Sequence, residues 1–184
     1  TITNTPGAII NWQQFSIGKD EITRFIQQSA LSAVLNRVTS QDPSVILGQL
    51  LSNGRVFLIN PSGITFGAGS VIDVAGMTAS TLNISNSDWL SGRLRFEGSG
   101  MEGRLVNAGT ITTPTGGQIY LIAPNVENQA SGVNKLLVVA RDCFCQRHGA
   151  SYNTTTGAAT GGPARGGLKK YAVTISGTSV KVTV

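Results

Sequence analysis

Between Arg55 and Ser85 the chain reads RVFLINPSGITFGAGSVIDVAGMTASTLNIS, three short apolar runs set between tight turns. Val56-Phe57-Leu58-Ile59 leads into Asn60-Pro61-Ser62-Gly63, and Ile64-Thr65-Phe66 into Gly67-Ala68-Gly69-Ser70. Val71-Ile72-Asp73-Val74 then leads into Ala75-Gly76. Pro61 fixes φ at the second turn position, and Gly63 can take a positive φ without a side-chain clash. Strands of about three to five residues joined in this way are too short to cross a large sheet, and they suit a chain that winds. This is the cadence of a β-helix coil.

The composition fits such a coil. A chain of 184 residues is one domain on length, and its 12% charged content is about half the usual share. The 23 glycines, with abundant Ser, Thr and Asn, favour turns and strands over helices. No apolar run approaches the ~18 residues of a membrane-spanning helix, so stable membrane insertion is not expected. No cationic-then-apolar secretory signal opens the chain. The net charge of +5 sits entirely in the last quarter. Before Val133 seven bases (Lys19, Arg24, Arg37, Arg55, Arg93, Arg95, Arg104) face eight acids, whereas from Val133 on seven bases face Asp142 alone. A near-neutral body lacks the electrostatic footprint that nucleic-acid binding requires.

Several blocks, in order, carry a family resemblance. They are Ala33-Val34-Leu35-Asn36-Arg37-Val38, Ile46-Leu47-Gly48-Gln49-Leu50, Asn60-Pro61-Ser62-Gly63-Ile64, Asp73-Val74-Ala75-Gly76, Ala79-Ser80-Thr81 and Leu82-Asn83-Ile84-Ser85. The stretch from Thr1 to Gln129 resembles the secretion domain of two-partner-secretion exoproteins, the filamentous-haemagglutinin-like proteins of Gram-negative bacteria. The family's central motif is NPNGI, and Ser62 stands here in place of its second Asn, where a hydroxyl can still make a local turn bond. The family's other hallmark, NPNL, is not found. The family's earliest strands would precede Thr1, so part of an N-terminal cap is expected to be missing and the chain is expected to be a mature fragment.

Thr1 to Lys19 reads as strand, turn and strand, with Trp12 and Phe15 as core anchors. From Ile22 to Leu35 two readings compete. Ile22, Phe25, Ile26, Ala30, Ala33 and Val34 recur at helical spacing. The resemblance instead implies extended segments, Ile22–Ile26 and Ala33–Asn36, with a loop between. Asp88-Trp89-Leu90 and the alternation of Leu94 and Phe96 among charged residues mark a half-exposed strand, and Glu97 to Gly103 an exposed loop outside the winding. Val106-Asn107-Ala108-Gly109 is echoed around Asn128, a period near that of one three-faced coil. Asn107 and Asn128 either stack as an amide ladder or merely suit left-handed turns.

After Gln129 the resemblance stops. Residues 1–132 are therefore expected to form the β-helix domain, and 133–184 a divergent tail. That tail holds a Gly/Ser/Thr-rich linker and a terminal hairpin from Tyr171 to Val184, and its composition has the character of foreign sequence. Cys143 and Cys145 beside His148 are the only metal-like cluster, and no second ligand pair accompanies them. Isolated Asp73 and Asp88 do not form the paired carboxylates that sugar chemistry needs. Gly67-Ala68-Gly69 and Gly116-Gly117 lack the lysine and helix of a phosphate loop. No catalytic, cofactor-binding or metal-binding residue is assigned.

The expected fold is all-β, a right-handed parallel β-helix (β-solenoid) with extra-helical hairpin and loops. The resemblance implies a non-catalytic secretion domain. Its partner would be an outer-membrane two-partner transporter, whose periplasmic domains recognise the chain, with Asn60, Pro61, Ser62, Gly63 and Ile64 as the recognition motif or the turn that recognition depends on. The product would be secreted or held at the bacterial surface, and the full-length exoprotein would meet a host-cell glycan or protein. The rival readings are a polysaccharide-lyase-like β-helix enzyme and a stand-alone glycan- or protein-binding adhesin.

Overall fold

A computed structural model of the chain describes residues 1–129 and, beyond them, the backbone of six strands. The first coil holds β1 (Ile2–Thr3) and β2 (Ile9–Trp12), and the second β3 (Ile22–Ile26), β4 (Ala33–Val38) and β5 (Ser44–Ile46). Then come β6 (Gln49–Ile59), β7 (Ile64–Phe66) and β8 (Val71–Ser80). An excursion follows with β9 (Asn83–Ile84), α1 (Asn86–Leu90) and β10 (Arg95–Glu97). Winding resumes with β11 (Leu105–Asn107), β12 (Thr110–Thr112), β13 (Ile119–Ile122) and β14 (Asn125–Asn128). The six further strands are β15 (Leu136–Val139), β16 (Asp142–Cys145), β17 (Ala150–Tyr152), β18 (Ala159–Gly161), β19 (Ala172–Ser176) and β20 (Ser179–Thr183).

Each circuit visits three stations, and successive circuits stack in parallel register. The first station runs β1, β3, the front of β6, the front of β8 and β12. The second runs β2, β4, the back of β6, the back of β8, β13 and β15. At the third, Ile17 bridges to Ile46 in β5, and β7, β11, β14 and β16 follow. This is a parallel β-helix, with the right-handed sense that nearly all parallel crossovers take. Its interior is a set of vertical files. Val34, Val56, Met77 and Ile119 are successive register partners, none more than 1% exposed. Burying each such side chain stabilises the fold by roughly 1.5–3 kcal/mol.

Periodicity and resemblance conflicted between Ile22 and Leu35, and the chain there is extended, as β3 and β4. Its apolar residues serve two faces of a pleat rather than one stripe of a helix. The expectation of uniformly short strands is corrected at Ala75-Gly76, which is not a turn. β6 is 11 residues long and β8 is 10, each joining the first two stations without a break. The pairing steps from Ser52↔Val74 to Arg55↔Gly76, so Asn53 and Gly54 face Ala75 alone and form a bulge. Asn53 holds that bulge to the coil beneath. Its Oδ1 accepts from Gln27 N at 2.8 Å and its Nδ2 donates to Gln27 O at 2.7 Å, replacing a strand pairing.

The excursion, residues 81–104, covers the outer face of the second station. Leu82, Ile84, Trp89 and Phe96 form one buried cluster with Leu35, Phe57, Ile59, Tyr120 and Ile122. That cover explains the uninterrupted apolar run at Val56–Ile59, since a parallel sheet buried on both faces has no polar side. In β8 the front half alternates exposed and buried residues, and the back half is buried throughout. Trp89 stacks edge-on against Phe57 at 4.8 Å, and its Nε1 donates to Gly7 O at 2.8 Å. Arg37 clamps the other side. It donates to Asn83 Oδ1 at 3.1 Å, to Asn86 Oδ1 at 2.8 Å and to Ile84 O at 2.6 Å.

Asp88-Trp89-Leu90 is helical rather than extended, a second correction. Ser85 is the N-cap, and its side chain accepts from Asp88 N at 3.0 Å. The Ser85-x-x-Asp88 spacing is that of a capping box, which outweighs the weak strand alternation beside it. Beyond Gln129 the backbone of β15 and β16 keeps the parallel registers of β13 and β14. From β17 the pairing is antiparallel, and β19 and β20 pair antiparallel with each other. β20 also pairs with β10. Of the low-complexity stretch only the backbone of β17 and β18 is described, and His148 and the side chains of Cys143 and Cys145 lie outside the described residues.

Two outcomes test this packing. Leu58→Ala empties a fully buried position and is expected to lower unfolding free energy by about 2–5 kcal/mol in urea titration, whereas Leu90→Ala, 73% exposed, changes it by at most about 0.5. The cover should also respond to acid. Hydrogen bonds from Ser85 and then Arg93 hold the Asp88 carboxyl below its ordinary value. A depressed folded-state pKa gives stability above the unfolded pKa that is lost as pH falls through the folded one. Protection of the α1 amides, relative to their intrinsic exchange at each pH, should therefore fall as pH drops below about 4, and Asp88→Asn should remove that acid-dependent component.

Candidate functional site

The corner between β6 and β7 is built by one side chain. Asn60 follows the last residue of β6 and is 0% exposed. Its backbone N–H donates to Ser80 O at 3.0 Å in the coil above, and its carbonyl accepts from Gly63 N at 3.1 Å. Its Oδ1 accepts from Ser62 N at 3.0 Å, closing an Asx turn. Its Nδ2 donates to Asp42 O at 2.9 Å and Ser44 Oγ at 3.0 Å in the coil beneath. Every polar group of Asn60 is therefore engaged inside the molecule.

The other motif residues complete the turn. Gly63 sits at φ 125°, a conformation L side chains rarely adopt, and an added Cβ would lie 3.3 Å from Arg104 O. Its carbonyl accepts from Ser44 N at 3.0 Å. Pro61 O accepts from Gly103 N at 2.8 Å, and Ile64 N donates to Arg104 O at 3.2 Å. Ile64, 1% exposed, lies in register between Ser44 below and Leu105 above. The corner is thus one layer of a column, with residues 42–44 as its floor and Gly103-Arg104 as its roof. Only Pro61 and Ser62 are half-exposed. The turn bond expected of the Ser62 hydroxyl is made by its N–H instead, which any residue other than proline supplies.

Asn107 and Asn128 are parallel register partners, and Asn107 Nδ2 donates to Asn128 Oδ1 at 2.9 Å. They lie on the third station, directly above Phe66 and away from the Asn60 corner. Asn36 makes a similar vertical link inside the second station, accepting from Trp12 Nε1 at 3.0 Å and donating to Phe57 O at 3.3 Å. Trp12 and Phe15 meet edge-on at 5.3 Å and pack on the main core. Asp42, Ser44, Gly103 and Arg104 were not singled out as site residues by sequence reading. The place of Asp42-Pro43 beneath Asn60 depends on register between coils.

The acids are engaged in shaping loops. Asp88 binds Ser85 Oγ and Arg93 Nε, both at 2.8 Å. Burial raises the Glu102 carboxyl, but bonds from Ser99 and Gly100 outweigh it and hold the group below its ordinary value. Asp73 is exposed on β8. Among the described residues no group of three or more His, Cys, Asp or Glu side chains could hold a metal ion.

The model of the TPS (two-partner secretion) secretion domain family matches residues 2–182. The chain belongs to the TPS secretion domain family. The crystal structure of the HMW1 secretion domain from Haemophilus influenzae superposes with a TM-score of 0.63 at 40% identity, covering 70% of this chain and 35% of that one. A heme/hemopexin-binding protein of Haemophilus influenzae (strain ATCC 51907 / DSM 11121 / KW20 / Rd) is 41% identical over 80 residues, 44% of this chain and 9% of that protein. A second heme/hemopexin-binding protein from Haemophilus influenzae is 35% identical over 89 residues, 48% of this chain and 10% of that protein. The chain thus matches only about a tenth of the length of each of these curated relatives. TPS domains are secretion domains of exoproteins and are recognised by cognate outer-membrane transporters.

The corner geometry makes a direct prediction. Asn60→Ala strips partners from buried groups and is expected to cost about 1–3 kcal/mol in urea titration. Ser62→Asn, which restores the family's usual residue at a half-exposed position, is expected to stay within about 0.5 kcal/mol of the parent.

Proposed function

We propose that this TPS domain is a non-catalytic export signal, read by the periplasmic domains of its transporter before the Asn60 corner closes. The observation that carries this reading is the complete internal engagement of Asn60. Once the coil has formed, its amide has nothing left to offer a partner, and only Pro61 and Ser62 face outward. In an extended chain the same residues are open. Their backbone could then add as a strand to a transporter sheet edge, the usual way an extended peptide joins a sheet. Winding then proceeds coil by coil from the amino end, each circuit templating the next along its unpaired edge. The Asn107–Asn128 bond is a rung of that templating, joining one circuit to the following one.

In the parent exoprotein the domain precedes a long adhesive or haemagglutinating shaft held at, or released from, the cell surface. Contact with a host-cell glycan or protein belongs to that shaft. The heme/hemopexin-binding proteins to which this chain is similar share with it only the region matched here, so their printed activity is not assigned to this domain. The near-neutral body and the engagement of Asp88 and Glu102 in loop contacts support a recognition module over a sugar-cleaving enzyme.

Secretion tests the reading. Export of the chain is expected to require the matched transporter, and Asn60→Ala should lower both the exported amount and the rate of folding outside the cell. Export of equal amount with and without the transporter would overturn the reading.

A further inference from the structure

The excursion at 81–104 stands in a revealing place. Ser80, at the end of β8, is the register partner of Ile59, and Leu105, at the start of β11, is the register partner of Ile64. Residues 81–104 therefore connect in one coil the two positions that Asn60-Pro61-Ser62-Gly63 connect in the coil beneath. The long connection is not needed to turn the corner. A link of four residues turns the same corner one layer down.

What the long connection does is cover. From its anchor points it reaches back over circuits already wound, to Gly7 in the first, Leu35 and Arg37 in the second, and Phe57 and Ile59 in the third. Until residue 81 and those after it are available, the outer face of the second station is an apolar strip of Ile9, Leu35, Phe57 and Ile59. That strip ends at Asn60. The return of the excursion also roofs the motif, with Gly103 N on Pro61 O and Arg104 O on Ile64 N. Lifting the excursion opens the strip and frees Pro61 O and Ile64 N together, as one continuous surface of apolar side chains and unpaired backbone groups.

We propose that this strip and the adjoining Pro61–Ile64 backbone are where the transporter's periplasmic domain holds the partly wound chain, and that residues 81–104 displace it. This rests on the export reading above. The excursion specifies the chemistry its predecessor must have. Isolated apolar side chains, Ile84 on β9 and Phe96 on β10, descend onto the strip from short strands whose exposed positions are polar. The partner surface is correspondingly a strand or hairpin with apolar residues on one face. Displacement has a built-in order, because the competing element lies later in the chain than the surface it takes over. Arg37, with its three bonds to Asn83, Ile84 and Asn86, and Trp89, on Gly7, favour the covered state over the open one.

The test replaces residues 81–104 of the full chain by Asn-Pro-Ser-Gly between Ser80 and Leu105. Binding to the purified periplasmic domains of the cognate transporter is then measured by calorimetry, with the urea-unfolded parent diluted into the same assay as a reference. The folded replacement is expected to bind at least tenfold more tightly than the folded parent, and Phe57→Ser with Ile59→Ser in the replacement should abolish that gain. Equal binding by the folded replacement and the folded parent, with the unfolded reference binding well, overturns this inference and leaves the export reading standing. Binding by none of the three overturns the export reading itself. If the replacement fails to fold, Arg37→Ala with Trp89→Ala in the intact chain serves instead. Faster hydrogen exchange across residues 81–104 together with tighter transporter binding supports displacement, and faster exchange with unchanged binding overturns it.

Discussion

A chain wound into parallel circuits must turn several times in each one without stranding a buried peptide group. In this molecule side-chain amides meet that demand. Asn60 supplies an acceptor to Ser62 N and donors to Asp42 O and Ser44 Oγ. Asn53 pairs with both backbone groups of Gln27, and Gln27 Nε2 in turn donates to Arg55 O at 2.9 Å. Asn36 ties the first circuit to the third. A side-chain amide carries the carbonyl acceptor and N–H donor of a peptide unit and one further N–H, so it can stand in wherever the ladder is interrupted. Loss of either half leaves a buried group unpaired, which costs more than the bond contributes. The files of Val, Ile, Leu and Met supply most of the driving force, and the amides decide where the chain may bend.

The same division explains how much of this was legible in the sequence. The turn at Asn60–Gly63 was readable because Pro61 and Gly63 restrict the backbone locally. The period joining Asn107 to Asn128 was readable because register repeats it. Val71–Gly76 misled because Ala75-Gly76 looks like punctuation, while the corner there is flattened by a bulge in the neighbouring circuit at Asn53-Gly54. No local pattern records a neighbour's bulge. Ser85-x-x-Asp88 was a helix start present in the residues, and the strand reading of Asp88-Trp89-Leu90 passed over it. For the candidate site, the motif itself could be read directly, but its floor and roof could not. Asp42 and Gly103 lie far from Asn60 along the chain and meet it only through stacking.

Burial of Asn60 also reverses a common inference about motifs. A short conspicuous sequence on a turn is usually taken for a surface that partners read. Here the asparagine is fully buried, and the residues left half-exposed are Pro61 and Ser62. On the proposed export reading, Asn60 serves recognition in the extended chain and the core once the coil has wound.

The four-residue and long connections over neighbouring corners have a consequence beyond secretion. Both begin and end on the same pair of register positions, so path length along the chain is decoupled from path length around the solenoid. Such a corner behaves as a port. A link of four residues and one of twenty-four are both accommodated there while the strands above and below keep their pairing. Diversity between members of such a fold should accumulate at these ports, leaving the stacked files inside as the shared inheritance.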